Sequence, residues 1–248
     1  MITIKSKSEI EKMRKAGRIT GDTLKVVEKH IRPGISTKQL DKIAHDYIIS
    51  KGAKPSFLHY DGFPATVCAS KNDAVVHGIP SKSDILHEGD IISIDVGACF
   101  EGYHGDAART FPVGKISDEA QRLIDVTKQS FFEGIKYAAH GAKLGDVSAA
   151  IQEYVEAHGY SVVRDLTGHG IGRDVHESPS VPNFGRRGKG VRLAAGMTLA
   201  IEPMVNQGKY PVRILDNDWT VVTADGSLSA HYENTVLITH SECELLTL

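Results

Sequence analysis

Carboxylates stand at four points where the chain otherwise builds apolar runs. In Ile91-Ile92-Ser93-Ile94-Asp95-Val96-Gly97, Asp95 interrupts a β-branched stretch, and burying its charge without a partner would be expensive. Asp106, in Gly105-Asp106-Ala107, follows eleven residues later across a bend containing Gly102 and Gly105, so the two carboxylates converge if the flanking segments pair as a hairpin. Converging carboxylates need a proton or a cation between them. Taken alone, Asp106 reads more readily as a turn or capping residue. Glu202 closes the run Leu199-Ala200-Ile201-Glu202-Pro203, and Glu233 heads the run Tyr232-Glu233-Asn234-Thr235-Val236-Leu237-Ile238. His169 lies among glycines in Thr167-Gly168-His169-Gly170-Ile171-Gly172, where the backbone can approach closely and a neutral imidazole can ligate a transition metal. An isolated histidine there would as readily be structural.

An oxygen-rich set with one imidazole suits hard or borderline divalent ions such as Mn, Fe(II), Co or Zn, and these five residues are enough to bridge two ions. A single structural zinc would not need so many acids. The chemistry implied is metal-assisted hydrolysis, and competing motifs fail. Gly168-x-Gly170 would need glycine at 173 for a dinucleotide fingerprint and has Arg173, no Walker lysine precedes a Ser/Thr, and neither HExxH nor GxSxG occurs. Cys68, Cys99 and Cys243 are an odd number without CxxC spacing, which argues against a disulfide framework or thiolate zinc and for a reducing compartment. With 29 Lys+Arg against 31 Asp+Glu, the net charge of −2 gives no general attraction to nucleic acid or anionic membrane. No apolar run reaches membrane-spanning length and the first ten residues do not read as a signal peptide, so a soluble cytoplasmic protein is expected.

The elements that must position these residues read as helices followed by strands. Residues 8–31 carry apolar side chains at helical spacing, with Ser8 and Glu11 as a capping box. Pro33-Gly34 breaks that helix, Ser36 or Thr37 caps the next, and its stripe from Leu40 to Ile48 ends at Gly52. Ile91–Val96 reads as a strand and Ala107–Val113 as its return, residues 118–158 are helical again around Gly141 and Gly145, and short strands follow at Ser161–Val163, Thr198–Ile201, Trp219–Thr223 and Thr235–Thr239. Pro179–Arg192, with Arg186, Arg187, Lys189 and Arg192, reads as an exposed loop, RNA contact being the minor alternative. Moving Gly34 onto Gly141, a displacement of 107 residues, also carries Leu40 to Val147, Asp46 to Glu153, Tyr47 to Tyr154, Ile48 to Val155 and Gly52 to Gly159. Either the chain is internally duplicated, favouring an α+β fold with pseudo-twofold symmetry, or two amphipathic helices match by coincidence.

Taken together, Val76-His77-Gly78-Ile79-Pro80, Ile94-Asp95-Val96-Gly97, Gly102-Tyr103-His104-Gly105-Asp106, Thr167 to Gly172, His176-Glu177-x-Pro179, Ala200-Ile201-Glu202-Pro203 and Glu233-Asn234-Thr235 resemble the type I methionine aminopeptidases of bacteria, over nearly the whole chain. The resemblance implies the pita-bread fold: α+β, with pseudo-twofold halves of helices packed on a curved antiparallel sheet. It implies one catalytic domain over 1–248 with an internal repeat of roughly 1–113 and 114–248. It also implies two divalent ions, one held by Asp95 with both oxygens, Asp106 and Glu233 bridging, and His169 and Glu202 completing the other. Water between the ions would be the nucleophile, Glu202 its base, and His77 and His176 would hydrogen-bond the substrate around the scissile amide. The methionine slot would be formed by Tyr60, Phe63, Cys68, His77 and Trp219, with Phe57 and Val175 alongside at positions where some relatives carry a cysteine and a phenylalanine. Asn72 and Ser229 match a peripheral monovalent-cation site. The implied reaction removes initiator methionine from unformylated chains whose second residue is small and uncharged, by a monomer whose basic 186–192 loop is a candidate ribosome contact. The rivals are a related peptidase acting on Xaa-Pro bonds, which usually carries a large extra N-terminal domain, and a binding module that has lost its metals.

Overall fold

A computed structural model describes residues 2–248. Helix α1 (Lys7–Glu28) begins two residues before the expected box: Ser6 is the N-cap, and its backbone N–H donates to Glu9 Oε2 at 2.8 Å. Ser8 and Glu11 are already inside the helix, where Glu11 pairs with Arg14. Helix α2 (Thr37–Ser50) starts at Ser36, which exchanges hydrogen bonds with Gln39, so its capping reading holds. Strands β1 (Lys54–Pro55), β2 (Val67–Lys71) and β3 (Ala74–Val76) lead to the long hairpin β4 (Ile91–Phe100) and β5 (Tyr103–Pro112). Both hairpin strands outrun their expected limits because pairing continues to the turn at Glu101-Gly102, whose left-handed φ values are 48° and 78°.

Helices α3 (Asp118–Ile135) and α4 (Leu144–Ala157) open the second half, followed by β6 (Ser161–Val162), β7 (Thr167–Gly170), β8 (Glu177–Pro182), β9 (Thr198–Ile201), β10 (Met204–Asn206), β11 (Val212–Ile214), β12 (Val221–Thr223), β13 (Ser229–His231), β14 (Asn234–Leu237) and β15 (Glu244–Leu245). The stretch expected as a loop from Pro179 thus begins in a strand, because Thr167–His169 offers β8 a paired edge. The rest of it folds back on α4: Gly188 N–H donates to Asp146 Oδ1 at 2.6 Å, Arg187 pairs with Glu153, and Arg192 donates to Gly141 O.

Every strand pairing is antiparallel, with β1-β4-β2 and β5 beside β4 in one sheet and β15-β14-β9-β7-β8 in another. The helices cover these sheets with two apolar cores. One gathers Leu24, Leu40, Ile48, Ile92, Ile94 and Val96, and the other Leu123, Phe131, Ile151, Leu199, Val205 and Val236. This is the mixed helix and antiparallel-sheet architecture of the pita-bread fold.

The displacement of 107 residues extends well past the helices. It carries both ends of α2 onto α4, the end of α1 onto the end of α3, β1 onto β6 and the start of β4 onto the start of β9. It also carries the bridge Ser36–Ile85 onto Lys143–Arg192, and Gly89 onto Gly196, both at φ 92°. Coincidence between two amphipathic helices does not account for matched bridges, turns and strands. Among the described residues no helix is long and apolar enough to cross a membrane.

Candidate metal centre

The hairpin register sets Asp95 opposite Ala108 and Asp106 opposite Gly97, so the two carboxylates are diagonal neighbours on one face of the sheet. Thr235 ties this hairpin to β14: Asp106 N–H donates to Thr235 Oγ1, which in turn donates to Asp106 O, each at 2.9 Å. Glu233 sits at the same seam, its N–H donating to Ala108 O at 2.9 Å. Glu202 follows β9 directly, and its carbonyl accepts from Asn183 Nδ2 at 2.9 Å. His169 projects from β7 with Nδ1 2.9 Å from Gly170 O, which fixes the proton on Nδ1 and leaves Nε2 bare. That Nε2 lies 3.5 Å from Glu202 Oε1 and 3.8 Å from Asp106 Oδ2.

Asp106, His169 and Glu233 each offer one donor atom within 4.8 Å of the others, with Asp95 and Glu202 beside them in the same cavity. Asp95 Oδ1, Asp106 Oδ1 and Glu233 Oε1 are buried without any hydrogen-bond partner. Native structures leave few such atoms unpaired. Burial pushes Asp95 up to about 7, and burial plus repulsion from the neighbouring carboxylates raises Asp106, Glu202 and Glu233 well above the usual range. Burial lowers His169 to about 4, so its imidazole is neutral at physiological pH. Orphaned carboxylate oxygens facing a bare imidazole nitrogen are what a divalent cation would satisfy, and the residues present fit such an ion.

Opposite the acids, a cavity of about 410 Å³ is walled by Phe57, Tyr60, Phe63, Cys68, Met204 and Trp219. Phe63 meets Trp219 edge-on at 5.2 Å between ring centres. Burial pushes the Cys68 thiol well up, so it remains a protonated, apolar wall rather than a nucleophile. Val175 is packed behind this wall against Phe57, Phe63 and Cys68 rather than lining the cavity with them. His77 and His176 reach the cavity between wall and acids, both lowered by burial. His176 Nδ1 is 2.9 Å from Tyr60 Oη, and its ring centre is 4.3 Å from that of His169. Asn72 and Ser229 are also brought together, Ser229 N–H donating to Asn72 O at 2.9 Å, outside the cavity.

Sequence reasoning missed Asp61, Asp165 and Met204 at the cavity, and missed His231, whose buried ring stands behind Glu202 and Glu233. Proximity to Glu233 in the chain was the only signal for His231.

Pita-bread architecture with buried carboxylates and an imidazole converging at an apolar cavity defines a metal-dependent hydrolase. Residues 11–240 match metallopeptidase family M24. A methionine aminopeptidase of Clostridium acetobutylicum is 59% identical over 248 residues, covering 100% of this chain and 99% of the relative. The crystal structure of methionine aminopeptidase from Rickettsia prowazekii superposes with a TM-score of 0.98 at 44% identity, with 100% of both chains covered. A prolidase from Pyrococcus furiosus shares the fold at a TM-score of 0.80 but is 23% identical, and the match covers 99% of this chain and 65% of the prolidase. The chain belongs to metallopeptidase family M24, among its methionine aminopeptidases.

Proposed function

We propose that the protein removes the N-terminal methionine from polypeptides whose second residue is small and uncharged. The observation that carries this reading is one cavity that joins apolar walls to buried, unpartnered carboxylate oxygens. Asp95, Asp106, His169, Glu202 and Glu233 would hold two divalent ions, Co, Mn, Fe(II) or Zn. When bound, such ions acidify water and polarise the scissile carbonyl.

The chain's own residues do the remaining work. Glu202 accepts the proton of the attacking water and passes it to the leaving amine, a role suited to a carboxylate that lines the cavity beside His169. His77 and His176 hydrogen-bond the substrate around the scissile amide, and the Tyr60 hydroxyl orients the His176 ring. Phe57, Tyr60, Phe63, Cys68 and Trp219 enclose the methionine side chain and exclude water, with Val175 supporting them from behind.

The reading extends to one catalytic domain over residues 1–248, with halves of roughly 1–113 and 114–248, acting as a cytoplasmic monomer on unformylated chains. Asn72 and Ser229 would flank a peripheral monovalent cation. Arg186 and Lys189, exposed and outside the ion pairs of α4, would be the ribosome-facing charges of the basic loop.

The test is hydrolysis of Met-Ala-Ser and Met-Pro peptides against Leu-Ala-Ser and Ala-Pro peptides by metal-stripped protein with Mn, Fe(II) or Co restored. Release of methionine alone, dependent on metal and lost in Glu202→Ala, supports the reading. Preference for the non-methionyl Xaa-Pro peptides would transfer the protein to the proline peptidases, and no cleavage with any ion would leave a binding role.

A further inference from the structure

Behind the acids lies a histidine that the mechanism above does not use. His231 ends β13, and its backbone is locked to one hydroxyl: its N–H donates to Thr110 Oγ1 at 2.8 Å and its carbonyl accepts from the same hydroxyl at 2.9 Å. The residue is 1% exposed, yet neither Nδ1 nor Nε2 has a hydrogen-bond partner. A buried polar atom left unpaired costs about 1–3 kcal/mol, so a ring with both nitrogens unpaired calls for an explanation. Its Nε2 faces two carboxylates, 3.7 Å from Glu202 Oε2 and 4.0 Å from Glu233 Oε2.

Glu202 is therefore bracketed by two imidazoles, Oε1 towards His169 and Oε2 towards His231. The two rings differ in what they present. His169 spends its N–H on Gly170 O and turns a bare nitrogen to the acids. His231 has no carbonyl tie at Nδ1, and a lone pair turned to two carboxylate oxygens would be repelled by both. The proton therefore belongs on Nε2.

Resting on the metal-centre reading, we propose that His231 is a positioning residue whose Nε2–H holds Glu202 Oε2 and Glu233 Oε2 from behind, fixing how both carboxylates present themselves to the ions. The separations are longer than a formed hydrogen bond, so the contact is a poised one that closes as the carboxylates rotate about their soft terminal torsions. A donor behind a ligating carboxylate sets its orientation and tunes its hold on the metal.

The test compares His231→Leu, His231→Gln and His231→Asn with the unaltered protein, each stripped of metal and titrated with Mn(II) by calorimetry. Glutamine carries an amide N–H to where Nε2 stands, whereas the asparagine amide stops near Nδ1. The Leu and Asn variants should bind Mn(II) roughly 10–100-fold more weakly, the range for loss of a partner behind a metal ligand, with Gln within about threefold of the parent. The visible spectrum of the Co(II)-loaded Leu variant should also differ from that of the parent. Parental affinity in His231→Leu would overturn the proposal, as would a Gln variant as weak as Leu, which would mean that ring volume and not the N–H matters. If His231→Leu does not fold, the polar Gln and Asn pair decides. Failure of the parent itself to bind divalent ions would bring down the metal centre and this inference with it, a result distinct from failure at His231 alone.

Discussion

Asp95 and Glu202 are one position occurring twice. Asp95 stands four residues after the start of β4, Glu202 four residues after the start of β9, and the two are 107 residues apart, the displacement that relates the helices. Each half thus contributes one acid from its equivalent strand. The remaining ligand candidates, Asp106, His169 and Glu233, do not follow that displacement, so the equivalent acids need not share a task. Glu202 alone has an oxygen 3.5 Å from His169 Nε2. Glu202→Gln should lower turnover by roughly 10²–10⁴-fold, the usual worth of a general base, while the chain still folds. Methionine release measured beside metal content checks this, and wild-type turnover in the variant would remove Glu202 from the chemistry.

The metal-free protein should become less stable as pH rises. Burial raises the folded pKa values of Asp95, Asp106, Glu202 and Glu233, so the folded state holds protons that the unfolded state has already released. For an acid shifted upward, the stability contributed by the protonated form is complete below the unfolded pKa, about 4, and is lost on the way to the folded pKa, about 7 for Asp95 and well above the ordinary range for the others. Denaturant unfolding after EDTA treatment should give a lower midpoint at pH 8 than at pH 5. Saturating Mn(II) should reduce or reverse that trend, and a flat profile without metal would mean that the acids are not desolvated as described.

Lys5→Met should cost about 3 kcal/mol, the low end for breaking a buried pair, because Glu177 keeps backbone donors at Arg173 and Asp174. Lys5 Nζ lies 2.6 Å from Glu177 Oε2 with both side chains largely buried, and Thr3 joins the same oxygen. This contact pins the residue next to His176 to the segment before α1. Turnover should therefore fall along with the unfolding midpoint, and an unchanged midpoint would show the pair to be idle.

Gly97→Ala should crowd the cavity wall at Phe57, from a position that faces Asp106 across the hairpin. A Cβ there would lie 2.7 Å from Ser56 Cβ and 2.9 Å from Phe57 Cε1, forcing the Phe57 ring to move. Overpacking on this scale costs about 1–3 kcal/mol of stability, and the displaced ring should raise the KM for methionyl peptides. Equal KM values would mean that Phe57 yields away from the cavity.

What was legible in the chain follows from how local each signal is. The ends of β9 and the start of β4 were visible because Leu, Ile and Val runs mark buried strands, and acids inside such runs marked the centre. The start of α2 was visible because its cap and box lie within four residues. Strands β2, β7 and β8 were not, being short and containing Cys, Ser, Gly or Pro, with partners supplied by distant residues such as Asp95 for Cys68 and Ala200 for His169. Ser8 was a plausible cap, but Ser6 is the residue with extended backbone before the first turn. His231 and the recessed Val175 were invisible in their significance because each depends on what lies behind a wall.

Helix α1 turns a glycine face to the last residues of the chain: a Cβ on Gly17 would meet Leu246 O at 2.3 Å, and one on Gly21 would meet Thr247 O at 2.8 Å. Leu246 N–H donates to Thr235 O, and Thr247 Oγ1 accepts from Thr235 N–H, so these residues are stitched between α1 and the strand beside Asp106. Helix α1 is thus seated by Leu246 and Thr247, residues far from it in sequence. Synthesis runs from one end, so the seam beside Asp106 can close only after residue 247 has left the ribosome, long after the residues of α1 have done so.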